Sequence, residues 1–182
     1  GAAQREGYRT RLKLRVGPAG ELGLFHRDRP HEVVDLPGCV IGEPAALAVA
    51  AAVREATVPG LGLMGVDVRA VRSEGGASRA LVTLVTRRDA APEGARELAS
   101  RLARRGDVVG VSIATLDSRS PRMIGGQPEH AVGEPETWDV QGPVSVLASA
   151  GAFVQAHRAQ AEALAERVAH AAGAPERPRV LE

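Results

Sequence analysis

Polar and apolar residues alternate strictly through "YRTRLKLRV" (8–16): Arg9, Arg11, Lys13 and Arg15 fall on one side, Leu12, Leu14 and Val16 on the other. A period of two is that of a half-buried strand, here with a basic face. "GPAGELGLF" turns and returns, and "HEVVDL" (31–36) supplies a third strand, so the chain is expected to open with an antiparallel meander. "EPAALAVAAAVREA" (43–56) then reads as a helix, with Pro44 suited to the first turn and alanine favouring helix throughout. "LGLMGVDVRAV" and "RALVTLVT" predict two strands joined by the turn "SEGGAS". "PEGARELASRLARRG" predicts an amphipathic helix closed by Gly106, and "VVGVSIATL" a further strand. Residues 117–142 are rich in Gly, Pro and Ser with little periodicity, and are expected to form loop and short strands. "PVSVLASA" leads to "GAFVQAH" (151–157), and "QAHRAQAEALAERVAHAAG" predicts a last helix, with Pro175 and Pro178 marking a linker. The pattern is that of an α+β domain: a mixed, largely antiparallel sheet with about three helices.

Composition narrows the picture. The 182 residues are 44% hydrophobic, enough for one domain with a core, yet 2% aromatic, so Val, Leu, Ile and Ala must fill the interior. Tyr8, Phe25, Trp138 and Phe153 are the large rings to be accounted for. A net charge of +1 does not by itself point to a nucleic acid or a membrane. Of 23 basic residues one, Lys13, is lysine. Arginine is the better phosphate fork, but an Ala/Arg/Gly/Val-rich chain also follows from a GC-rich coding sequence. One cysteine, Cys39, excludes an intramolecular disulfide, and no secretory leader or apolar run of spanning length is present in the 182 residues. A cytoplasmic protein is expected.

Spacing alone offers little chemistry. There is no glycine-rich phosphate loop, no Cys/His cluster at zinc spacing and no Ser/His/Asp pattern. His31 beside Glu32, and His157 on the last helix, read as structural or solvated residues, and Cys39 in "DLPGCVIGEP" as a small buried apolar residue. The chain begins "GAAQREGY" and stops at "RPRVLE", where Val180 and Leu181 look like the opening of a strand. A piece of a longer protein is therefore expected.

Taken in order, "YRTRLKLRV", "GLFHRDRPHEVVDLPGCVI", "SAGAFVQAHRAQAEAL" and "RPRVLE" resemble the central part of the S-adenosylmethionine-dependent RNA (uracil-5-)-methyltransferases, which make 5-methyluridine in rRNA or tRNA. Between about 60 and 140 the resemblance rests on the strand and helix pattern alone. It implies a central α+β domain over 1–174, with 175–182 as linker and first strand of a Rossmann-like methyltransferase domain. It also implies that the main S-adenosylmethionine site, the nucleophilic cysteine and the general base lie beyond residue 182, so that the chain alone is inactive. Such enzymes add a cysteine thiolate to C6 of uracil, methylate C5 and then remove its proton. The base must first leave its stack.

On this resemblance Phe153 and Gln155 fall on the family's aromatic and glutamine, which implies stacking on the extruded base and reading of its edge. His157, which stands where many relatives have asparagine, is the third substrate-binding candidate that the resemblance implies. The alternative for Phe153 is a hydrophobic staple at the helix start, with Gln155 an ordinary first-turn residue. Arg9, Arg11, Lys13 and Arg15 become candidates for the RNA backbone, as a stripe with alternate residues about 6.6 Å apart. Cys39 falls on the fourth ligand of a 4Fe-4S cluster that some members carry; the other three cysteines are absent here, so it is either a remnant ligand or simply packed. The implied partner is RNA, with no membrane and a monomeric state. A non-catalytic RNA- or protein-binding module, or a spacer domain, is the competing reading.

Overall fold

A computed structural model describes residues 4–57, 60–117 and 127–173. The alternation at the start becomes β1 (Arg11–Val16), which pairs antiparallel with β2 (Leu22–Phe25), itself paired with β3 (Val33–Asp35). This is the expected meander. α1 (Pro44–Ala56) follows, then β4 (Leu63–Arg72) and β5 (Ser78–Arg87), α2 (Pro92–Ala103) and β6 (Val108–Leu116). β4 lies against β1 rather than β3, giving the sheet order β3-β2-β1-β4-β5-β6-β7, with β7 spanning Glu129–Gly133. β5 and β6 are parallel and the other pairs antiparallel. That is what the intervening α2 requires, since a parallel neighbour needs a crossover.

One face of the sheet is apolar. Leu12 and Leu14 of β1, Val66, Val68 and Ala70 of β4, and Ala80, Val82 and Leu84 of β5 are buried under α1 and α2. Those helices meet the sheet with Ala46, Val49, Ala50 and Val53, and with Ala95, Leu98, Ala99 and Leu102, at the three- and four-residue spacing of one helical stripe. Small side chains let the helices lie close, so an interior almost without aromatic rings still packs.

The opposite face is polar at its centre. Registers Arg11↔Arg69, Lys13↔Asp67 and Asp67↔Thr83 place these residues on one side, and Asp67, Arg69, Thr83 and Ser112 are all buried. A separate two-stranded sheet, β8 (Glu136–Gln141) and β9 (Val144–Ser149), packs on the end of this face through Ala148 and Asp139, near Val71, Leu81 and Val109. Between 117 and 142 the described residues include two short strands, β7 and β8, as expected, but the pattern did not locate β8. The reason is visible in β8: its inward residues are Thr137, Asp139 and Gln141, while Trp138 points out and is 61% exposed. An apolar-in pattern search reads such a strand backwards. α3 (Arg158–Ala172) starts three residues later than expected and lies mostly exposed against β8. Pro175, Pro178 and the "VLE" strand lie outside the described residues.

Candidate functional site

Three sequence blocks that are far apart in the chain meet at the entrance to β1. The Gly7 amide donates to Val40 O (2.9 Å) and the Arg9 amide to Ile41 O (2.7 Å), while the Glu43 amide donates to Arg9 O (3.0 Å). On the other side the Thr10 amide donates to Ala156 O (2.8 Å), and Arg9 and His157 form an isolated antiparallel bridge. "YRTR", the segment after Cys39 and "FVQAH" are therefore one local structure, with Tyr8–Thr10 in the middle.

Phe153 and Gln155 both face solvent from the segment between β9 and α3, and Phe153 is 81% exposed. The staple alternative needs a ring packed against the helix it precedes, and the exposure argues against it. Exposing one of two phenylalanines forfeits most of the roughly 1.5–3 kcal/mol that burying it would contribute. The backbone beneath is nevertheless fixed. The Arg11 Nη1 donates to Ala152 O (2.7 Å) and the Thr10 hydroxyl to Ala156 O (3.3 Å). Thus each end of the 152–156 stretch is tied to the start of β1, by Arg11 and by Thr10 just before it.

His157 does a different job from its neighbours. It is the N-cap of α3, its Nδ1 accepting from the Gln160 amide (3.4 Å), and its ring stacks on Tyr8 with centroids 4.4 Å apart and planes 17° apart. With Nδ1 as acceptor, the neutral ring carries its proton on Nε2, which is buried without a partner. One face and one nitrogen of the ring are thus used by the fold itself.

The basic stripe is broken by Arg11. Its Nε donates to both oxygens of Asp67 (2.8 and 3.1 Å) and its Nη2 pairs with Asp67 Oδ2, both residues being buried. It is not available to a phosphate. Period two tells which side of a strand a residue occupies, not whether that side is covered. Arg9 and Lys13 are exposed, Arg9 also donating from Nε to Arg11 O (3.1 Å). Arg15 is half-buried, with its guanidinium carbon 5.1 Å from the Phe25 ring centroid, and burial lowers its pKa from the ordinary value. Arg15 and Phe25 also border an open groove of about 1090 Å³ that reaches His31 and Arg87.

Sequence reasoning missed a buried ionic cluster. Asp139, 1% exposed, accepts from Arg158 Nη1 (2.7 Å), the Arg72 amide (3.0 Å) and Gln141 Nε2 (3.1 Å), with Arg69 Nη2 at 3.7 Å. Arg158 also donates to Val140 O (2.8 Å). Asp139 therefore ties β4 and β8 to the first residue of α3, immediately after the Phe153 segment. Desolvation lowers the pKa of Arg69, against the attraction of Asp139. The available signal was "VDVRA" inside an otherwise apolar strand: two charges at alternate positions of a central strand require buried partners.

Cys39 is a half-buried free thiol whose carbonyl accepts from the Gly42 amide (2.9 Å). Among the described residues no three His, Cys, Asp or Glu side chains come together. Within these 182 residues Cys39 could supply one of the four thiolates that a 4Fe-4S cluster needs. No glycine-rich turn from strand to helix occurs among the described residues to hold S-adenosylmethionine. Nor is any described helix long and apolar enough to cross a membrane.

The class defined by this architecture is an α+β domain whose mixed sheet is covered on one face by two helices. Among solved structures it is similar to the Pyrococcus abyssi tRNA (uracil-54, C5)-methyltransferase in complex with S-adenosyl-L-homocysteine. The TM-score is 0.66 at 15% identity, over 91% of this chain and 41% of that one. The likeness is one of fold, and the chain spans less than half the length of that enzyme. No family model matches the chain. No curated protein matches it either.

Proposed function

We propose that the chain is the RNA-holding part of an S-adenosylmethionine-dependent RNA (uracil-5-)-methyltransferase acting on rRNA or tRNA. In this reading it binds single-stranded RNA and presents a uridine, and methyl transfer is carried out by residues outside these 182. The observation that carries the reading is Phe153: a rare ring, 81% exposed, beside an exposed glutamine on a backbone tied down at both ends. A ring held this way offers a stacking face to an unstacked base, and the Gln155 amide can donate to and accept from the uracil edge at once. Exposed Arg9, just before β1 and bridged to His157, and exposed Lys13 on β1 supply charge for the backbone. The fold likeness to a tRNA (uracil-54, C5)-methyltransferase supports the same reading.

The test uses fluorescently labelled single-stranded RNA and the 182-residue chain. Uridine-containing RNA should bind in preference to the same RNA with cytidine. In Gln155→Glu, where a carboxylate faces the uracil carbonyl, that preference should fall by about 5- to 100-fold, the scale of a lost or repulsive polar contact. Labelled S-adenosylmethionine should give no incorporation. No RNA binding at low salt, equal preference in the variant, or methyl incorporation by the chain alone would each overturn the reading.

A further inference from the structure

Arg11 looks, in the sequence, like one more member of a basic stripe. Its surroundings give it another task. The guanidinium is a fork: Nε and Nη2 are both committed to Asp67, which is itself 3% exposed, and Nη1 alone is directed out of that pair, to Ala152 O at 2.7 Å. A planar group fixed along one edge by two bonds aims its remaining nitrogen in a set direction. The atom it reaches is the carbonyl immediately before Phe153. Thr10, one residue earlier and just before β1, fixes Ala156 through two donors, so consecutive residues at the start of β1 hold the two ends of the segment that exposes Phe153 and Gln155.

We propose that Arg11, set by Asp67, is a positioning residue for the base-stacking segment: it fixes the direction in which Phe153 is presented and does not itself meet RNA. The proposal rests on the reading of Phe153 and Gln155 as the RNA site, and it concerns which residues build that site. A lysine could neutralise Asp67, but as a single ammonium it cannot reproduce the two-edged fork. Charge conservation should therefore fail to rescue, which a phosphate contact would not predict.

Because the chain holds two phenylalanines, incorporation of 4-fluorophenylalanine gives two fluorine signals. One reports the 153 segment, and the other, at Phe25 on β2, reports the sheet. In the unsubstituted chain the Phe153 line should be as broad as that of Phe25, despite the exposure of its ring. Arg11→Lys should narrow the Phe153 line and move it toward the position of the free amino acid, leaving Phe25 where it was. Asp67→Asn, which keeps the arginine but loosens its fork, should do the same to a smaller extent. RNA affinity should fall severalfold in Arg11→Lys with no change in the slope of log K against log salt, whereas Lys13→Gln should lower that slope by about 1. A narrow Phe153 line in the unsubstituted chain, or an unmoved one in both variants, would overturn the proposal. So would a salt slope that falls in Arg11→Lys. Failure of the unsubstituted chain to bind RNA would count against the functional reading instead, and the fluorine lines then decide on Arg11 by themselves.

Discussion

Replacing Phe153 by alanine separates recognition from packing with one variant. The ring is 81% exposed, so about a fifth of it is withdrawn from water. Complete burial of a phenylalanine contributes about 1.5–3 kcal/mol, and a fifth of that is about 0.3–0.6 kcal/mol. For a chain of this size 1 kcal/mol corresponds to about 2–4 °C, so the midpoint should drop by about 1–2 °C. A phenylalanine buried as a staple would instead cost about 3–5 kcal/mol and lower the midpoint by about 6–20 °C. Stacking of a base on a ring is worth about 1–3 kcal/mol, which is a factor of about 5 to 150 in the dissociation constant. Thermal melting by circular dichroism and RNA binding by fluorescence anisotropy read the two quantities on one preparation. A midpoint lowered by more than about 6 °C with RNA affinity unchanged would refute the reasoning.

Two further expectations follow from the geometry. Arg9→Gln combined with Lys13→Gln should lower the slope of log K against log salt by about 1.4 if each meets one phosphate of the single strand, with melting nearly unchanged because both side chains are exposed; an unchanged slope would make them a solvated face. The hydrogen bonds from Arg105, and then its charge, hold the Asp107 carboxyl below its ordinary value of 3.8. A depressed carboxyl pKa adds stability that is complete above the unfolded value and lost as pH falls through the folded one. Asp107→Asn should accordingly melt lower than the parent at neutral pH, and the gap should close in acid below about pH 3.8; a gap that persists there would exclude this linkage.

How much of this was legible beforehand differs between the two faces of the sheet. The face under α1 and α2 obeys the simple rule: apolar residues at period two in β1, β4 and β5 meet apolar residues at helical spacing, and each element was foreseen within a few residues. The other face inverts the rule. There the strands turn Arg11, Asp67 and Arg69 inward, and the covering strand β8 turns Asp139 inward and Trp138 out. Hydrophobic periodicity cannot assign a strand whose buried side is polar, so β8 was not singled out within a stretch expected to hold loop and short strands, and Arg11 read as part of an outward basic face. The candidate segment was legible in part for the same reason. Exposed Phe153 and Gln155 were picked out by their rarity and resemblance, but the residues that hold them belong to the polar interior.

That interior bears on how the segment stays in place. Asp67, Asp139, Arg11, Arg69 and Arg158 are all buried, and such pairs add little net stability over apolar residues of the same volume. What they impose is direction. An apolar contact between β8 and the sheet could slide or rotate at small cost, whereas Asp139 must meet the Arg72 amide, Gln141 and Arg158 together. Arg158 opens α3, and Arg11 grips Ala152 six residues before it. The stretch between them bears Phe153 and Gln155 with both ends set by bonds of fixed geometry, one reaching Asp67 on β4 and the other Asp139 on β8. Such a frame suits a short exposed segment that must keep its shape without a core of its own, because the entropy of ordering it is met by the fold itself.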